Sequence, residues 1–293
     1  MSGLTVSLGL DARAAMVDAF DAARATIDAE FFSIDDPVVV DSLNRAAARG
    51  VRVRIAIEGD PHRYRRGAHP REPSETTLRA GLDAAVDVVV SHAPNALVHG
   101  KAAVVDDAVA LVATANPTVT GFRAPGETLV VDRDPLDAHR VRTEIDDAAA
   151  GVDRRPDLRP ALDDLLRCDR DMRVASEDLS DPQICAWLIH RARAGHRDRV
   201  LTGRSPSKSG KKWQHRLVDA GVDVRAPARG YMHEKYVDTG SRIYVGSANL
   251  TRDGIEEAHE VGLIADASDF ADGAASLRAD FDATWRSAIA IRR

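Results

Sequence analysis

Residues 98–116 read VHGKAAVVDDAVALVATAN, and residues 232–249 read MHEKYVDTGSRIYVGSAN. Each stretch runs His-x-Lys into an apolar strand, passes an aspartate, and returns through a second apolar strand to a hydroxyl residue two places before an asparagine. The first supplies His99, Lys101, Asp106, Thr114 and Asn116. The second supplies His233, Lys235, Asp238, Ser247 and Asn249. The His-to-Asn separations are 17 and 16, and a glutamate, Glu127 or Glu260, follows each asparagine by 11 residues. The chain has only five lysines and four asparagines, so two of each inside these windows argues for duplication rather than accident. Alternate residues of a strand project to one face, which puts each His beside its Lys.

Working outward, the repeat extends upstream. FFSIDDPVVVDSLNRAAARGVRVRIAIEGD, residues 31–60, reads as strand, turn, amphipathic helix, glycine stop and apolar strand. MRVASEDLSDPQICAWLIHRARAGHRDRVLTGR, residues 172–204, repeats that order, with Asp36-Pro37 and Gly50 matched by Asp181-Pro182 and Gly195 at an offset of 145 in every case. Strands alternating with helices predict βαβ units and a mostly parallel sheet, so the expected class is α/β, built twice. The expected organisation is a first half over 1–133, a connector over 134–168 rich in Pro, Asp and Arg, and a second half over 169–293. Two such halves related by a pseudo-twofold axis would bring equivalent strand ends to one crevice, with the repeated polar residues facing each other.

Composition bounds the rest. A chain of 293 residues, 44% apolar, has ample core, and a formal charge of -6 with pI near 5.9 gives no global basic field to hold polyphosphate. That weighs against nucleic acid without removing it. Cys168 and Cys185 have no metal-ligand spacing and make no disulfide framework. The opening residues lack a basic stretch, and Asp11 and Asp18 interrupt their apolar positions, so neither signal peptide nor membrane span is expected. The expectation is a cytoplasmic protein with at most peripheral membrane contact.

The motif pair resembles the His-x-Lys, four residues, Asp, then Gly-Ser-x-Asn signature of the phospholipase D superfamily. The first copy keeps the His-Lys-Asp spacing but has Ala113-Thr114 where Gly-Ser is usual. The second keeps Gly246-Ser247-Ala248-Asn249 but is shortened, with Asp238 three residues after Lys235 and Gly240 in the usual Asp position. The resemblance implies a duplicated phospholipase D-like fold with one active site at the interface of the halves. It also implies a metal-independent phosphodiesterase or phosphatidyltransferase, without cofactor, that works through a phosphohistidine. Catalytic candidates are His99, His233, Lys101, Lys235, Asn116, Asn249, Glu127 and Glu260, with His99 as nucleophile and His233 as general acid by analogy. Thr114, Ser247, Asp106 and Asp238 are supporting candidates, although a turn or salt bridge explains the two aspartates as readily as the site does.

Ammonium and amide donors suit the non-bridging oxygens of a phosphodiester, and two imidazoles in different protonation states suit attack and leaving-group protonation. The substrate read first is a phospholipid headgroup. DNA or RNA is the alternative, with basic loops at Arg63, Arg65, Arg66 and at Lys208, Lys211, Lys212 available to track a backbone. A degenerate phosphate-binding scaffold is the third reading. Both halves lie in one chain, so a monomer suffices for a complete site and a homodimer stays open.

Overall fold

A computed structural model describes residues 3–59, 81–91, 97–124, 126–152 and 158–292; the arginines of the first basic loop lie outside them. In the first half, β1 (Thr5–Leu8), α1 (Gly9–Ala22), β2 (Thr26–Phe31), α2 (Pro37–Ala48), β3 (Arg52–Glu58) and β4 (Asp87–Ser91) precede the motif strands β5 (Lys101–Val105) and β6 (Val109–Ala113). Then come β7 (Thr128–Asp132) and α3 (Pro135–Ala149). The second half begins with α4 (Arg159–Leu166), β8 (Arg173–Ser176), α5 (Pro182–Arg193), β9 (Arg199–Thr202), α6 (Lys208–Asp219) and β10 (Asp223–Ala226). Its motif strands are β11 (Lys235–Asp238) and β12 (Arg242–Gly246), followed by β13 (Gly262–Asp266), α7 (Ala271–Ser287) and β14 (Ile289–Ala290).

Two seven-stranded sheets result, ordered β1-β7-β6-β5-β2-β3-β4 and β13-β12-β11-β8-β9-β10-β14. The parallel pairs, β2 with β3, β3 with β4, β8 with β9 and β9 with β10, are those of the βαβ units read from the sequence. The motif strands join antiparallel, β5 on β2 and β11 on β8, so each sheet is mixed. The β5–β6 and β11–β12 hairpins are antiparallel too, since so short a connection cannot make the crossover that a parallel pair requires.

The Asp-Pro signals start helices as expected. Asp36 accepts from the N–H groups of Val38 and Val39 at 3.0 and 3.3 Å, and Asp181 from those of Gln183 and Ile184 at 3.1 and 2.9 Å, with proline in the first turn of both helices. Gly50 and Gly195 end the helices at φ of 87° and 98°, a conformation that costs a side-chain-bearing residue about 1 kcal/mol.

One face of the first sheet packs on α1 and α2 through Phe20, Leu43, Ile55 and Leu111. Its other face packs on α3 through Val141 and Ile145, joined by Val261 from the second half. In the second half, α4, α5 and α6 cover one face, while α7 places Phe281 and Trp285 over the other beside Tyr236, with Val130 of the first half in the same cluster. The segment read as a connector thus gives one helix to each half. Apolar side chains cross between halves in both directions, which fixes the crevice between the two sheets. Among the described residues, no helix is long and apolar enough to cross a membrane.

Candidate active site

The sheet registers set the two motifs in equivalent places. Phe31 pairs with Lys101 and Ser176 with Lys235, so both lysines start their strands next to the ends of β2 and β8, and both are buried. Each ammonium bonds to the carbonyl of its own histidine, Lys235 to His233 at 2.5 Å and Lys101 to His99 at the same distance. Lys101 also lies 3.2 Å from Nδ1 of His99.

The carboxylates cross the pseudo-twofold axis. Nδ1 of His99 lies 2.7 Å from Oε1 of Glu260, and Nδ1 of His233 lies 3.2 Å from Oε1 of Glu127. Each half therefore supplies the partner for the other half's imidazole. Backbone bonds tie the crossing: the N–H of His99 donates to the carbonyl of His259 at 2.9 Å, and the N–H of His259 donates to that of Leu97 at 2.8 Å. Thr114 donates its hydroxyl to Oε2 of Glu127 at 2.5 Å and accepts from the N–H of Thr128, while Ser247 accepts from the N–H of Val261 at 2.9 Å. These hydroxyls fix the strand that carries each glutamate.

The electrostatics of the two pairs differ. Burial raises Glu127 to about 7 against the opposing pull of Lys235 and the Thr114 hydrogen bond. Burial pushes Glu260 the same way, but the His99 contact and Lys101 outweigh it and hold the carboxyl below its ordinary value. Both imidazoles are depressed by burial first, with the ammonium groups adding to the effect, His233 well below its ordinary value. Burial likewise lowers Lys101 to about 8 and lowers Lys235.

A cavity of about 600 Å³ opens between the halves, lined by both histidines, Asn116, Glu127, Tyr231 and Arg123 among others. A smaller one of about 190 Å³ lies on the other side of His99, against Asn249, Glu257 and Glu260. The Oδ1 of Asn116 is buried without a partner among the described residues. Asp106 and Asp238 are not brought here. Asp106, at φ of 52°, receives the N–H groups of Arg24, Ala25 and Thr26 at the far end of β5. Asp238 is clamped at the far end of β11 by Arg173 and Arg278 at 3.0 and 2.9 Å and by the N–H of Gly240. The structure gives both a role in fold.

A family model described as cardiolipin synthase, PLD-like domain, matches residues 16–148 and again residues 162–285. The chain belongs to this family. Phosphatidylserine synthase from Haemophilus influenzae superposes with a TM-score of 0.71 at 12% identity, covering 99% of this chain and 87% of that one. A polyphosphate kinase from Porphyromonas gingivalis superposes with a TM-score of 0.63 at 15% identity, covering 89% of this chain but 44% of the kinase, so this chain spans less than half of that protein. At such identities the likeness is one of fold. No curated protein sequence matches the chain.

Within the PLD-like pair, one position breaks the symmetry. Phe32 and Glu177 are equivalent at the offset of 145, each directly after the strand that flanks its lysine. Phe32 sets its ring against His99, centroids 5.2 Å apart and planes at 64°. Glu177 instead places Oε2 at 3.6 Å from Nε2 of His233 and 3.8 Å from Nζ of Lys235. Tyr231 stacks on His233 at 5.6 Å and donates its hydroxyl to Glu177. The Nε2 of His99 has no such partner among the described residues. Sequence reading missed Glu177 because the equivalent position of the first half is Phe32. The offset alignment of residues 31–60 with 172–204 was the available signal.

A further compensation lies behind the lysines. Glu30 is buried with both carboxyl oxygens unpaired among the described residues, and it sits where a Cβ on Gly100 would fall 1.5 Å from its Oε1. In the second half Ala175 replaces Glu30 and Glu234 replaces Gly100, so a buried carboxyl enters from the other strand. Burial raises Glu30 to about 8 and Glu234 well above its ordinary value.

Proposed function

We propose that this chain is a metal-independent phosphodiesterase or phosphatidyltransferase acting through a phosphohistidine, with phospholipid headgroups as its substrate. The observation that carries the reading is the crossed pair of His–Glu contacts over one cavity, with two buried ammonium groups behind them. His99 faces an ionised Glu260, so its Nδ1 holds the proton and its Nε2 lone pair is open to attack phosphorus. His233 is neutral beside a Glu127 that titrates near neutrality, and Glu177 favours the tautomer with the proton on Nε2.

The step then balances. His99 Nε2 forms the bond to phosphorus as the bond to the leaving oxygen breaks; that oxygen takes the Nε2 proton of His233, whose Nδ1 takes the proton of Glu127. Water or an alcohol reverses the sequence and releases His99. Lys101, Lys235, Asn116 and Asn249 hold the non-bridging oxygens as their charge grows, the type of stabilisation that commonly supplies the largest share of rate enhancement.

Support for a lipid comes from the family, described as cardiolipin synthase, PLD-like domain, from the superposing phosphatidylserine synthase, and from Tyr231, 59% exposed at the cavity wall. The nuclease reading rests on the exposed lysines at the start of α6, Lys208, Lys211 and Lys212. One assay in chelator decides between them: phosphatidylcholine, phosphatidylglycerol, single-stranded and duplex DNA offered to wild type, His99→Ala and His233→Ala. The expected result is lipid turnover lost by at least about a thousandfold in both variants, since each removes a whole step. Cleavage of DNA alone replaces the substrate, and turnover that survives both substitutions ends the two-histidine mechanism. Failure to trap phosphate on His99 while phosphate still binds would make the protein a scaffold.

A further inference from the structure

We infer that Glu177 is a charge filter: its carboxylate occupies the second half's phosphate donors and makes the site select singly charged phosphodiesters over doubly charged phosphate groups. The inference rests on the phosphate-site reading above. The donors that the second half offers to a phosphate are the Nε2 of His233, the ammonium of Lys235 and the amide of Asn249. Glu177 already engages the first two, at 3.6 Å and at 3.8 Å, with the Tyr231 hydroxyl as a third partner. A carboxylate surrounded in this way stands in for a phosphate oxygen.

Its place is built rather than incidental. The carbonyl of Glu177 accepts the N–H of Gly203 at 2.9 Å, and a Cβ on Gly203 would fall 2.6 Å from that oxygen, so glycine is required for the contact. On the preceding residue, the Ser176 hydroxyl donates to the carbonyl of Asp178 and accepts from the N–H of Leu250. The backbone is pinned on both sides, and the carboxylate can leave its donors only by side-chain rotation. Burial opposes ionisation of Glu177, but Lys235 and His233 outweigh it, so the group is anionic.

Among the described residues of the first half nothing equivalent exists: Phe32 occupies the position and contributes no charge. A phosphate therefore finds the donors of Lys101 and Asn116 beside the open Nε2 of His99, and an anion facing it from the second half. Two fixed ammonium groups against Glu260 and Glu177 leave the site without net charge, so a diester adds one uncompensated negative charge and a dianion adds two. A dianion meets a net repulsion at close range, where screening by water is weak. The consequence reaches both ends of the reaction: phosphomonoesters are poor ligands, and a monoester product formed by hydrolysis is expelled as it ionises.

The test compares full-length wild type with Glu177→Gln, which keeps the shape and the acceptor oxygen, and with Phe32→Glu, which adds an anion to the other half. Inorganic phosphate is titrated by calorimetry at a pH where it is a dianion, and KM is measured for bis(p-nitrophenyl) phosphate, a monoanionic diester. Glu177→Gln should bind phosphate roughly tenfold more tightly, with a clearly smaller change in the diester KM, and Phe32→Glu should weaken phosphate by a similar factor. Equal phosphate affinity in wild type and Glu177→Gln overturns the filter and leaves the phosphate site standing. Absence of phosphate binding in all three proteins overturns the site reading and the filter with it. Should Glu177→Gln fail to fold, the Phe32→Glu comparison decides alone, and unchanged or tighter phosphate binding there overturns the filter.

Discussion

Glu127 and Glu260 are one residue type at one repeated position, yet their carboxyls shift in opposite directions from the ordinary value because different neighbours meet the same burial. Glu260 has the shorter histidine contact, 2.7 Å against 3.2 Å, and burial wins at Glu127. If the proton of Glu127 is the one passed through His233, activity must fall as pH rises through about 7, where that carboxyl ionises. The ionisation of Lys101 near 8 steepens the same limb, whereas Glu260, held low, keeps its charge well into acid. Replacing Glu127 by Gln should lower kcat about a hundredfold or more and remove the component of the alkaline limb near 7, as a kcat–pH profile would read. A profile that keeps that component in Glu127→Gln assigns it elsewhere. Both glutamates were legible from their spacing of 11 residues after asparagine. Their crossing was not, because a distance along one copy carries no information about contacts across the axis.

At the level of single strands and helices, the sequence was most readable where a local rule acts alone. The Asp-Pro caps and the Gly50 and Gly195 stops follow from backbone chemistry within a few residues, and they sit where they were expected. The entry of β5 and β11 antiparallel to the βαβ strands was harder to read, since apolar alternation is the same in either direction. The exchange of Glu30 and Gly100 for Ala175 and Glu234 was invisible for a related reason: each pair looks ordinary until β2 is laid against β5. That exchange makes a sharp prediction. Gly100→Ala should cost about 1–3 kcal/mol by driving a methyl into the Glu30 carboxyl, and Glu30→Ala should recover most of it. Denaturant melts of the two single variants and the double variant give the coupling, and simple additivity would mean that the two side chains do not share that space.

Over the whole molecule, the buried carboxyls give stability an unusual pH dependence. Glu30 binds its proton up to about 8 in the folded state against the ordinary 4.5 when unfolded, so the native state holds more protons between those values. Stability from this group is fully present below about 4.5 and is lost as pH rises through about 8; Glu234, also raised, acts in the same direction. Asp106 and Asp238 work oppositely: burial is outweighed by backbone N–H groups at one and by the arginines at the other, and their contribution disappears in acid. The two slopes meet at about pH 4–4.5, between the ordinary values of 3.8 for an aspartate and 4.5 for a glutamate, and there these groups place the peak of the melting temperature. Glu30→Gln carries no ionisable group, so it should gain on wild type steadily from mildly acidic pH to about pH 8, by an amount on the order of a few kcal/mol at the alkaline end. Thermal melts of both proteins across that range measure the difference directly. Parallel curves would mean that Glu30 has already lost its proton at the acid end of that range, and burial would then not be what governs its ionisation.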